Sequence, residues 1–147
     1  MAATGAQNSF GNLFKMADTG STPASIGEIL SLTPPNVQRA TQDATHMESH
    51  EGWMEAITEG VIDPGTWTFN VHHLDQSTGD SACWDALASG TQQDCEGTFK
   101  GESGAVKKWT FSAFVTNYNP QAQEIRGKQT AAITVRITGK ITRSAVS

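Results

Sequence analysis

The chain has 147 residues, room for one domain that buries a core without a metal or disulfide staple. Its modest hydrophobic fraction of 37% and its 14 glycines suit a β-rich protein better than a helical bundle. No apolar run approaches the ~18 residues that a membrane-spanning helix needs, so no membrane partner is expected.

The net charge of −5 is unevenly spread. Residues 1–96 hold thirteen acids against Lys15 and Arg39, a net of −11, while residues 97–147 hold eight bases against two acids, a net of +6. Such asymmetry suits one part of a subunit attracting another part of its neighbour, and equally a basic face for nucleic acid, so the sign alone decides nothing. The N-terminus has neither a basic start nor an apolar run, so it lacks the marks of a secretory signal, and synthesis in a cytosol is expected. Cys83 and Cys95 form no CxxC pair; reduced, partly buried thiols are expected.

In chain order, residues 1–24 read as a flexible arm rich in Ala, Gly, Ser and Thr. Phe10, Leu13 and Phe14, spaced i, i+3, i+4, suggest one short helical turn with a sticky stripe. Residues 25–32 predict a first strand, ended by Thr33-Pro34-Pro35, and 36–39 a resumed one. Residues 41–60 alternate acids with His46, His50, Trp53, Met54 and Ile57 and read as a long, exposed, acidic loop, a length that usually carries function. Asp63-Pro64-Gly65 is a turn. A strand follows over 66–74, with Trp67, Phe69, Val71 and His73 on one face.

A helix is predicted over 80–89, capped by Asp80 or Ser81, with a stripe of Cys83, Trp84, Leu87 and Ala88, and Gly90 at its end. Strands are predicted over 95–100 and 107–118, the second with Trp109, Phe111, Ala113 and Val115 on one face. The clearest alternation is in 130–140, where Ala131, Ile133, Val135 and Ile137 face one way. The fold class is therefore mainly β: a β-sandwich or open barrel of antiparallel strands with one flanking helix. One β domain is expected over 25–143, between the arm and a short tail at 144–147.

Residues that could do chemistry do not assemble into a site. His46 and His50 lack the HExxH pattern and read as solvated loop histidines. His72 and His73 point to opposite faces of a strand and cannot share an ion. His73 with Asp75 has no nucleophile to complete a triad. Gly97–Gly101 lacks phosphate-loop spacing, and Trp109 beside Lys107 and Lys108 reads as a sheet anchor beside solvated bases rather than a base-stacking platform. No enzyme activity, cofactor or metal is expected.

Four pieces resemble, in order, the major tail tube proteins of long-tailed bacteriophages, a fold shared with type VI secretion tubes. They are Asp43-Ala44-Thr45; Gly52-Trp53 with Ile57, Gly60 and Asp63-Pro64-Gly65 leading into Trp67 and Phe69; Trp109-Thr-Phe-Ser-Ala-Phe-Val-Thr116; and the closing strand ending Thr138-Gly139-Lys140. The resemblance covers roughly 25–142 and departs from the family where 92–105 lengthens the link after the helix. It implies a virion protein that self-assembles into hexameric rings stacked as a tube for DNA ejection. The tube would enclose a tape measure protein, end on terminator and tip proteins, pass DNA without binding it tightly, and form in the host bacterial cytoplasm.

Contacts between subunits are then expected at Phe10, Leu13, Phe14, Asp43, His46, Glu51, Trp53, Glu55, Lys107, Lys108, Arg136 and Lys140. Acids should outnumber bases on lumen-facing strand positions. The alternative is a virion decoration protein or a small carbohydrate-binding β-sandwich using Trp53, Trp84 or Trp67.

Overall fold

A computed structural model describes residue 8 and residues 11–18, 23–101 and 105–145. The strands are β1 (Phe14–Asp18), β2 (Ala24–Ser25), β3 (Ile29–Thr33), β4 (Gln38–Asp43), β5 (Ala56–Asp63), β6 (Thr66–His72), β7 (Gln93–Lys100), β8 (Val106–Pro120) and β9 (Thr130–Ala145). One α-helix, α1 (Thr78–Ser89), lies between β6 and β7. Seven strands form an antiparallel sheet in the order β2-β1-β7-β8-β9-β6-β3, and β4 pairs only with β5.

The large sheet is curled. Phe14 of β1 stacks on Phe69 of β6 with ring centroids 4.6 Å apart, although β7, β8 and β9 lie between the two strands. In a flat sheet, four strand steps would separate them by roughly 19 Å. One open barrel is therefore found rather than two stacked sheets. Its concave side holds Trp67, Phe69, Val71, Phe111, Ala113, Val115, Ile133, Val135 and Ile137, as the alternation in β6, β8 and β9 predicts, and α1 adds Cys83 and Ala86.

Two glycines set close approaches. A Cβ at Gly79, in the first turn of α1, would overlap the Ile26 backbone, and one at Gly97 would overlap the Trp67 indole.

Several expectations are corrected. The predicted turn near Phe14 is the extended strand β1, because Phe14 and Met16 also stand at i, i+2, and pairing with β7 places both in the core. Phe14 is fully buried and is not a contact residue, whereas Phe10 lies outside the described residues. The first strand divides into β2 and β3 around Gly27, at φ +137°.

Much of the predicted loop 41–60 is strand. It escaped notice because both faces of the β4–β5 pair meet solvent, so no apolar alternation marks it. α1 starts two residues earlier than predicted, with Ser77 as its N-cap, and Gly90 ends it at φ +69°. Trp84 and Ala88 are exposed; the buried stripe is Cys83 and Ala86. β9 runs past Gly139, at φ +81°, so Ser144 and Ala145 of the expected tail pair with Lys108 and Lys107.

Cys83 and Cys95 are free and fully buried, and burial, reinforced by nearby acids, pushes each thiol up to about 12. Neither thiol should react with a thiol-specific reagent at pH 8 in the native protein. Both should label at once in denaturant, and rapid native labelling would contradict this burial.

Candidate assembly interface

The hairpin β4–β5 stands apart from the core. Asp43 is opposite Ala56 and Gln38 opposite Asp63, with a register shift between Arg39 and Thr41. At its root the Asp63 carboxylate accepts from Gly65 N–H at 2.9 Å and from Arg136 Nη2 at 3.0 Å. Arg136, an expected contact between subunits, therefore serves a contact within its own chain.

The tip, 44–55, is organised by hydrogen bonds instead of a core. Asp43 accepts from Thr45 N–H at 2.9 Å, and Glu55 N–H donates to the Thr45 hydroxyl at 2.8 Å. The Ser49 hydroxyl donates to Glu55 at 2.7 Å, and His46 Nε2 lies 3.2 Å from the same carboxylate oxygen. A one-turn 3₁₀ helix, His50–Gly52, with Glu51 in the left-handed region at φ +52°, turns the chain toward Trp53. Three large side chains then point into solvent: Met47 is 102% exposed, Trp53 71% and Met54 81%. A two-stranded hairpin is marginal alone, and apolar groups so placed do nothing for the monomer.

Charge follows the same division. Residues 38–63 hold six acids, Asp43, Glu48, Glu51, Glu55, Glu59 and Asp63, against Arg39. At one end of β7–β8–β9, Lys100, Lys107, Lys108 and Arg143 converge, with Lys140 in the bulge where β9 slips against β8. Lys107 and Lys140 are exposed, and Lys108 sits 3.6 Å from Glu96. Leu13 is half-exposed, with its backbone bonded to Thr98.

Hydrogen bonds to the Thr45 hydroxyl and N–H lower the Asp43 pKa; for Asp63 the Gly65 N–H does so first, with Arg136 adding to it. Because both folded values lie below the ordinary 3.8, their contribution is fully present above that value and is lost as pH falls through the depressed ones. Amide exchange in Ala56–Asp63 should thus stay flat from pH 7 to pH 5, once corrected for intrinsic rates, and rise only below about pH 4. A rise that is already complete at pH 5 would separate the loosening from these two carboxylates.

A polar network lies under the start of α1. The His73 and Asp80 side chains are only 9% and 12% exposed and stand 3.5 Å apart, with Tyr118 donating to Asp80 and its oxygen 3.4 Å from His73 Nδ1. Burial first, then the Asp80 bond, raises the Tyr118 pKa. Here His73 joins helix to sheet, and His72 turns to the other face to meet Glu28 at 2.6 Å. Sequence reading did not find Tyr118 or Asp80 as partners, because nothing in one dimension places them beside His73.

The convex face of the sheet carries Thr66, Thr68, Asn70, Thr110, Ser112, Thr134 and Thr138 in register, with Phe114 among them opposite Arg136. Among its charged strand residues, Asp94 and Glu96 stand with Lys15, Lys100, Lys108 and Arg136.

A curled sheet with a filled interior, a hydroxyl-bearing outer face and a hairpin that carries exposed apolar side chains fit a structural subunit. The sequence profile of the lambda phage tail tube protein family matches residues 5–144, and the chain belongs to that family: it is a structural tail tube protein of a virion. No curated protein matches the chain.

Among solved structures, the chain is similar to the tail of an empty gene transfer agent particle with C6 symmetry. The two share 19% identity at a TM-score of 0.77, covering 95% of this chain and 100% of that one. A chain of the anti-feeding prophage baseplate matches at 11% identity and TM-score 0.71, covering 99% of each chain. The SPP1 tail tube matches at 12% identity and TM-score 0.62, covering 92% of this chain and 76% of that one.

Proposed function

We propose that the subunits assemble into hexameric rings stacked as a tube, through which DNA passes during ejection. The observation that carries this reading is the β4–β5 hairpin, whose Met47, Trp53 and Met54 are exposed to solvent rather than packed on the core. The C6 symmetry of the similar gene transfer agent tail supports six subunits per ring. Leu13, the tip residues Asp43, His46, Glu51, Trp53 and Glu55, and the basic Lys107, Lys108 and Lys140 are the contact residues of this reading.

The convex face lines the lumen in this reading, since the concave face is filled by the core. The expectation of an acidic lumen changes accordingly: acids do not outnumber bases there, and DNA would slide over mostly neutral hydroxyl groups with little to hold phosphate. The tape measure protein occupies the bore before ejection, terminator and tip proteins close the two ends, and assembly takes place in the host cytoplasm. The subunit is not an enzyme in this reading, since no side-chain cluster is needed beyond those that join helix, sheet and hairpin.

The carbohydrate-platform alternative lacks its geometry. Trp67 is buried, Trp84 packs edge-on against Tyr118 at 5.6 Å, and Trp53 is isolated on the tip. Electron microscopy of the concentrated purified protein tests the proposal: rings and tubes of regular bore are expected, and a monodisperse monomer at millimolar concentration would overturn it.

A further inference from the structure

The root of the hairpin borders an apolar groove of about 710 Å³. Its walls are Val37, Val61, Ile62, Trp109 and Ile141, and Lys140 and Arg143 stand at its rim. The groove opens where two ladders slip. β5 shifts register against β4 around Gly60, and β9 shifts against β8 around Gly139, so two residues without side chains flank the opening. Arg143 lies over the Trp109 ring at 5.9 Å, which places a cation beside the apolar wall. An apolar cleft with a cationic rim fits an apolar knob flanked by carboxylates.

The tip of the same hairpin is such a knob. Trp53 and Met54 project into solvent, and Glu48 and Glu51 beside them are exposed. Glu55 is engaged by Ser49 and His46, and Glu51 stands 3.5 Å from the exposed His50. The tip cannot reach its own groove, because the paired strands from Ala56 to Ile62 hold the two about 20 Å apart.

We propose that the groove is the socket for the hairpin tip of a neighbouring copy. Trp53 and Met54 enter between Val61 and Ile141, and Glu48 and Glu51 pair with Lys140 and Arg143. Plug and socket are different surfaces at opposite ends of one element, so the contact is head-to-tail and repeats from subunit to subunit. The inference rests on the assembly reading and names the surface that would carry it.

The test compares tube formation, by sedimentation and electron microscopy, for the wild type, Lys140→Glu/Arg143→Glu, Glu48→Lys/Glu51→Lys, and all four changes together. Each pair of reversals should raise the critical concentration at least about tenfold, and the combination should return it toward the wild-type value. All four sites are exposed and lose only surface contacts, Arg143 over Trp109 and Glu51 beside His50, so unfolding midpoints should fall by no more than a few degrees. Should a variant fail to fold, Met54→Cys/Val61→Cys supplies an independent readout. Oxidised tubes of that protein should give a ladder of cross-linked oligomers, and neither single cysteine should.

Wild-type tubes with unaffected charge-reversed variants, or with no ladder, would overturn the socket and leave the tube assignment standing. A wild-type chain that never assembles would remove both.

Discussion

Gly97→Ala is expected to lower the free energy of unfolding by about 2–4 kcal/mol, a large share of the ~5–15 kcal/mol typical of a domain. β7 passes under the six-membered ring of the Trp67 indole so closely that an added Cβ would overlap its outer carbons. The indole cannot retreat. It is fully buried, with Phe111 stacked at 5.5 Å and Phe14 and Phe99 each at 5.6 Å. Trp67→Phe removes the atoms that would be struck, and it also removes a buried indole N–H that has no hydrogen-bond partner among the described residues. The two changes should therefore couple: Gly97→Ala should cost about 1–3 kcal/mol less when Phe replaces Trp67. Urea unfolding followed by circular dichroism measures all four corners of this cycle, and strict additivity would refute the close approach.

Replacing residues 44–55 with Asn-Gly should leave the subunit folded and abolish tube formation. Asp43 faces Ala56, so a two-residue turn joins β4 to β5 without altering their register. The excised segment makes its polar contacts within itself and with Asp43, and its large apolar groups touch solvent. Monomer stability should shift by no more than about 0.5 kcal/mol. Tubes from the shortened protein, seen by electron microscopy, would show that the tip is dispensable. A shortened protein that unfolds would show that the tip belongs to the fold.

These two experiments separate two parts of the molecule that the sequence marks very differently. Alternation in Trp67–Val71, Phe111–Val115 and Ala131–Ile137 announced the sheet, because a strand with one buried face must place apolar groups at every second residue. Gly90 announced the end of α1 because only a residue without a Cβ takes a left-handed cap cheaply. β4 and β5 gave no such signal. With both faces wet, nothing in their side chains recorded the pairing, and Ile57, Thr58, Val61 and Ile62 kept only their β-branched preference. Trp53 is among the expected contact residues, but only the paired strands show that it is held out in solvent, away from the core.

By itself, the sequence determined the fold class, the faces of three core strands, the end of the helix and a family resemblance that the profile match bears out. Tertiary structure alone decided that the sheet curls until Phe14 meets Phe69, and that Phe14 is core rather than contact. It also decided that Arg136 anchors Asp63, and that an apolar groove with a cationic rim opens at the foot of the hairpin. The reason is physical. Periodicity reports which side of a strand meets water, but the partners of a side chain depend on how far the sheet bends and where its ladders slip. Those are properties of many strands together.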